Sequence, residues 1–170
     1  MSQIYNELEP KFATSPNIMD GCYWFNCDLG FFGTKLAPKI MKNYLRIFRN
    51  LKEKNILVEK FQLANQVYSE FNQVSFPDFK KIERKLKRLN FKIVFLSFPE
   101  DEASLAKRLQ DRLNLYPSYR RIAKTPLDYI KQQALYKERI KNSSLEHISV
   151  EIDAFPDEQA LKTISDWIKK

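Results

Sequence analysis

From residue 38 onward, long amphipathic stretches alternate with short apolar runs rich in β-branched and aromatic residues. That rhythm is the signature of alternating helices and strands. The clearest run is "KIVFLSF" at 92 to 98, a continuous apolar stretch of the kind that parallel sheets bury on both faces. "NILVE" at 55 to 59 and "HISVEID" at 147 to 153 read as two more strands, and "CYWF" before "NCD" as a first one. Between them lie the helices. Pro38 at a first turn opens "PKIMKNYLRIFRNLKEK", where Ile40, Tyr44, Ile47, Phe48 and Leu51 recur at helical spacing. "FQLANQVYSEF" follows, and then "DFKKIERKLKRL", behind Pro77 and with a charged outer face. Another helix starts near Glu100, and an irregular segment surrounds Pro117. Pro126 then opens "PLDYIKQQALYKERIKN", with Leu127, Ile130, Ala134 and Leu135 on one side, and "PDEQALKTISDWIKK" closes the series. This order implies right-handed crossovers and a parallel sheet with helices on both faces, an α/β fold expected as one domain over 1–170.

In such sheets ligands meet the carboxyl ends of the strands. Those ends carry Glu59 and Lys60, then Ser97-Phe98-Pro99, then Asp153, and Asp28 joins them behind "CYWF". A carboxylate and an ammonium side by side suit phosphoryl chemistry, because the acid orients a hydroxyl or hydrated magnesium while the base neutralises phosphate. The stretch "CDLGFFGTK" at 27 to 35 holds two of the three glycines, yet it does not match the phosphate cradle G-x-x-x-x-G-K-[ST]. Only two residues separate Gly30 from Gly33, and Thr34 precedes Lys35. It reads instead as a turn into a helix, with Asp28 near the pocket.

Composition narrows the partners. Cys22 and Cys27 with the single His147 cannot make the usual four-ligand zinc site, and they are expected as reduced thiols. No run is apolar enough to cross a bilayer and the first residues do not form a signal peptide, so a cytoplasmic protein without a membrane partner is expected. The net charge of +8 calls for an anionic partner: nucleotide phosphate, nucleic acid or an acidic surface.

Taken in order, "KNILVEKFQLANQVYSEF", "FKIVFLSFPEDEASLAKRLQDR", an arginine-rich break, "LDYIKQQALYKERI", "HISVEID" and a last helix resemble the later two-thirds of the thymidylate kinase and deoxynucleoside kinase group of P-loop kinases. In that group a buried strand ends in Asp-Arg and an aromatic, followed by x-L-S-x-x-x-Y. The matching residues are Glu59, Lys60 and Phe61, then Leu63, Ala64 and Tyr68. A later helix carries Arg-x-x-x-Arg and runs into a mobile lid over the phosphates, a place that Arg108 and Arg112 fit, with Arg120 and Arg121 as further lid arginines in a segment of about 107–124. The resemblance implies a three-layer kinase architecture and transfer of phosphate from ATP, with Mg2+, to a nucleoside or nucleotide. Glu59 and Lys60 would be catalytic, and Phe61, Tyr68, Asp28 and Tyr23 would line the acceptor pocket. Three features depart from the pattern. The phosphate loop is missing, Asp-Arg is Glu-Lys, which removes the forked donor, and Ala64 replaces a serine. Either the chain is the downstream part of a longer kinase, or it is a degenerate relative that has lost catalysis. The family's central strand must then be supplied by "CYWFNCD" or by a second chain, a partner or another copy.

Plainer readings stand beside these. Glu59 and Lys60 also fit a solvated pair at a strand end, and Arg108 or Arg112 fits a structural ion pair with Asp111. The basic segment 80 to 92 fits a solvated outer face, with nucleic-acid binding as the sharper reading. Tyr116 and Tyr119 interleave with the arginines of 107 to 124, which suits either stacking on bases or a loop packed by its own tyrosines. A non-catalytic kinase-fold binding or regulatory protein and a basic nucleic-acid-binding protein are thus the two rivals to a kinase.

Overall fold

The computed structural model describes residues 17–19, 22–28, 33–71, 79–153 and 158–169. They fall into two compact units, within Met1–Asn90 and Phe91–Lys170. Both are mixed α/β.

In the first unit, β1 (Asn17–Met19) pairs antiparallel with β2 (Cys22–Asn26), and β2 pairs parallel with β3 (Asn55–Glu59). The β2–β3 register runs from Cys22 opposite Asn55 to Asn26 opposite Glu59. The crossover between them is α1 (Gly33–Asn50), whose buried residues Ala37, Met41, Tyr44, Leu45 and Phe48 recur every three or four positions. The helix starts at Gly33, so Pro38 lies inside it and does not open it. A proline there cannot donate to the carbonyl four residues back, and the buried stripe on either side of it holds the turn instead. Phe25, Tyr44, Phe48 and Phe61 form one aromatic cluster: Phe48 meets Phe25 edge-on at 5.4 Å and Phe61 at 5.3 Å, and stacks on Tyr44 at 6.0 Å.

After β3 the chain enters α2 (Gln62–Phe71), which packs against α3 (Phe79–Arg88). Helix α3 buries Ile82 and Leu86 and exposes Lys80, Lys81, Arg84, Lys85, Lys87 and Arg88, the charged outer face its sequence predicts. Two residues beyond its end, Asn90 has a left-handed backbone (φ 56°), a common helix stop. Pro77 lies outside the described residues.

In the second unit, β4 (Ile93–Ser97) pairs parallel with β5 (His147–Glu151), Ile93 opposite His147 and Ser97 opposite Glu151. Their crossover is α4 (Glu102–Leu115), a 3-10 helix (Pro117–Arg121) and α5 (Pro126–Lys141). Asp101 caps α4 by accepting from the Ser104 amide at 2.8 Å. Thr125 and Asp128 close a reciprocal capping box on α5 with Pro126 in the first turn. Helix α6 (Glu158–Ile168) packs against β5.

Two expectations are corrected. The runs "NILVE" and "KIVFLSF" form strands as read, but Leu57 is 58% and Leu96 53% exposed, so cover falls on alternate residues. An apolar run reports strand propensity; it does not report how many layers cover the strand. On α5 the face expected inward is partly outward. Leu127 and Ala134 are exposed, while Gln133 and Ile140, seven apart, are buried. The buried carboxamide of Gln133 thus shares the inward face with the apolar Ile140.

Candidate functional site

The parallel β2–β3 pair brings three of the expected residues to one edge. Glu59 ends β3, and its carbonyl accepts from the Cys27 amide at 2.8 Å, which extends the pairing one step beyond the strand ends. That bond fixes Asp28 beside Lys60, and the Lys60 Nζ stands 3.6 Å from Asp28 Oδ2. Their side chains are 50% and 40% exposed, so the pair is worth only about 0–1 kcal/mol and opens readily to a ligand. Lys60 adopts φ 55°, the left-handed region that a branched or bulky residue occupies at a cost of about 1–2 kcal/mol. The turn is pinned from α2, where the buried Asn65 donates through Nδ2 to the Phe61 carbonyl at 2.6 Å and to the Lys60 carbonyl at 3.3 Å.

The remaining acceptor-pocket candidates lie apart from this edge. Phe61 is buried in the aromatic cluster, where it serves the core. Tyr68 is exposed on α2. Tyr23 sits opposite Ile56, about 10 Å back from the carboxyl end of β2. Gly30 lies outside the described residues.

Directly behind Asp28, Cys27 is 1% exposed and hydrogen-bonded with Tyr44. Burial pushes its thiol from 9.0 up to about 12, the Tyr44 hydrogen bond opposing, and burial and the thiol together push the Tyr44 phenol from 10.0 up to about 12. The folded chain therefore keeps a proton that the unfolded chain releases near pH 9. This contribution to stability is complete below about pH 9 and drains as pH rises to about 12. In a Cys22→Ser background, the urea midpoint of this unit should hold steady from pH 7 to 9 and then fall. Cys27→Ala should lessen that fall, and an equal fall with the cysteine gone would refute the assignment.

The arginines expected over the phosphates lie in the second unit, and two of them, Arg108 and Arg112, have structural partners. Arg108 donates through Nη2 to the Ile152 carbonyl at 3.3 Å and to Asp153 Oδ1 at 3.4 Å, tying α4 to the end of β5. Its ion partner is thus Asp153, where the sequence offered Asp111. Arg112 stacks over the Tyr119 ring at 4.3 Å, and the Tyr119 and Tyr129 hydroxyls are hydrogen-bonded at 2.9 Å. The loop is therefore packed by its own tyrosines at Tyr119, whereas Tyr116, Arg120 and Arg121 are exposed.

At the end of β4, Gln133 of α5 is 3% exposed and reads the Phe98 backbone twice: Phe98 N donates to Oε1 and Nε2 donates to the Phe98 carbonyl, both at 2.9 Å. Lys137 and Gln133 donate to Glu100 and hold its carboxyl below the ordinary value. Sequence reasoning missed Gln133 and Asn65.

Among the described residues no group of three or more His, Cys, Asp or Glu side chains is placed to hold a metal ion, and no described helix is long and apolar enough to cross a membrane. Comparison with known protein families, with curated proteins and with solved structures found no match.

Proposed function

We propose that the chain is a nucleoside- or nucleotide-kinase-like protein that engages nucleotide phosphate at the carboxyl end of the β2–β3 pair. The observation that carries this reading is the in-register parallel β2–α1–β3 crossover, which gathers Asp28, Glu59 and Lys60 at one edge. A flexible lysine beside an accessible carboxylate is a serviceable phosphate contact. In this reading Lys60 holds phosphate and Glu59 orients the acceptor hydroxyl. The three-layer kinase architecture goes with the same proposal. Magnesium is usually held by one or two carboxylates together with phosphate oxygens. The pair Asp28 and Glu59 fits that donor set, so the ion would come with the nucleotide and neutralise its charge. Transfer from ATP further requires a phosphate loop.

One observation favours the non-catalytic rival. Lys60 is already matched by Asp28, and Glu-Lys lacks the forked donor of Asp-Arg. The two readings part on turnover and share binding. Calorimetric titration with ATP and with nucleoside monophosphates, each with Mg2+, should show saturable binding of at least one. Absence of heat for all of them would overturn the kinase reading.

A further inference from the structure

The strongest surface feature outside that edge is the outer face of α3. Ile82 and Leu86 are buried against the fold. At 100° per residue, Lys80, Lys81, Arg84, Lys87 and Arg88 then lie within about 120° of arc on the opposite side. All five are exposed, and Lys85 flanks them. The lone acid of the helix, Glu83, is half-buried at the margin of the arc.

We propose that this face is a docking surface for the phosphate backbone of a nucleic-acid duplex, bound without reading its sequence. Charge complementarity carries the choice of partner, since five cations on one rigid face exceed what a neutral or acidic chain needs for solubility, and the whole protein is at +8. From Lys80 to Arg88 the helix rises about 12 Å. Along one strand of a duplex that distance covers three to four phosphates at about 3.4 Å each. The arc bears no aromatic ring on which an unpaired base would stack, which separates this surface from single-strand platforms. It also keeps its apolar residues inward, which leaves nothing to insert into a lipid bilayer. The surface uses neither Glu59 nor Lys60, so it stands or falls apart from the nucleotide reading.

The test is fluorescence anisotropy of the full chain with a labelled 20-base-pair DNA duplex between 50 and 200 mM salt. Neutralising about four phosphates gives a slope of log affinity against log salt near −4. The triple variant Arg84→Glu, Lys87→Glu, Arg88→Glu should weaken binding at least 100-fold at 50 mM salt and flatten the slope to about −1. A control triple on the exposed side of α1, Lys42→Glu, Arg46→Glu, Arg49→Glu, makes the same change in net charge and should cost less than tenfold. The milder set Arg84→Gln, Lys87→Gln, Arg88→Gln, checked for folding by circular dichroism, should move affinity in the same direction. Equal losses in the α1 and α3 triples would overturn the proposal, because the effect would then be net charge alone. No duplex binding by the wild type would overturn it too. So would α3-dependent binding to vesicles with 30% phosphatidylserine without duplex binding, which would mark a lipid surface.

Discussion

Replacing Lys60 by glycine is expected to weaken binding of nucleotide phosphates about 10- to 100-fold, and Asp28→Asn to strengthen it when magnesium is absent. A hydrogen bond to a charged group contributes about 1.5–3 kcal/mol, which sets the first figure. The second follows from the 3.6 Å ion pair: phosphate must displace the Asp28 carboxylate, and the amide of asparagine no longer competes for the ammonium. Glycine is the cleaner probe at 60. It accepts φ 55° freely, so the turn after β3 survives while the charge is lost. Alanine would remove the charge and keep the strain. If turnover is present, Lys60→Gly should reduce it by about 10²–10³-fold, the usual cost of one electrostatic contact in a transition state. Titration calorimetry and a coupled phosphoryl-transfer assay read the two effects. Unchanged affinity in Lys60→Gly together with unchanged affinity in Asp28→Asn would remove Lys60 from the site.

Phe48→Ala should destabilise the first unit by about 3–5 kcal/mol, a large share of the 5–15 kcal/mol that holds a typical domain. Phe48 is fully buried and its ring meets three others, Phe25, Tyr44 and Phe61. Its removal leaves a cavity between β2, α1 and the chain entering α2, and the neighbouring rings cannot collapse far without breaking their edge-on contacts. The chain carries its own reporters: Trp24 lies in β2 and Trp167 in α6. With Trp167→Phe, urea unfolding followed by Trp24 fluorescence should show the midpoint lowered by about 2 M. A shift worth less than about 1 kcal/mol would mean the cluster is loosely packed.

What the sequence disclosed and what it withheld follow from the range of each signal. Strands β3 and β4 were legible because their runs are short, apolar and bounded by polar residues, and β5 because Ile148 and Val150 alternate with polar neighbours. The helices were legible from periodicity and from a proline in a first turn, as Pro126 shows. The antiparallel β1 escaped because three residues give no period. The inward face of α5 was misjudged because burial there is decided by hydrogen bonding across 35 residues, between Gln133 and Phe98. The meeting of Asp28 with Lys60 depended on the β2–β3 register, which "NCD" and "EK" imply only once those strands are known to be neighbours. The lid arginines were legible as a cluster; their tyrosine and carbonyl partners were not, since pattern says nothing of which side chain a guanidinium will reach.

The double contact between Gln133 and Phe98 has a kinetic consequence. The Phe98 amide lies one residue beyond β4, where hydrogens normally exchange with solvent quickly, yet it is held by a side chain from a helix. Its exchange thus times the departure of α5 and is blind to fraying of the strand pair. Gln133→Leu should speed exchange at Phe98 at least tenfold while the amides within β4 keep their rates, so one hydrogen serves as a clock for one helix.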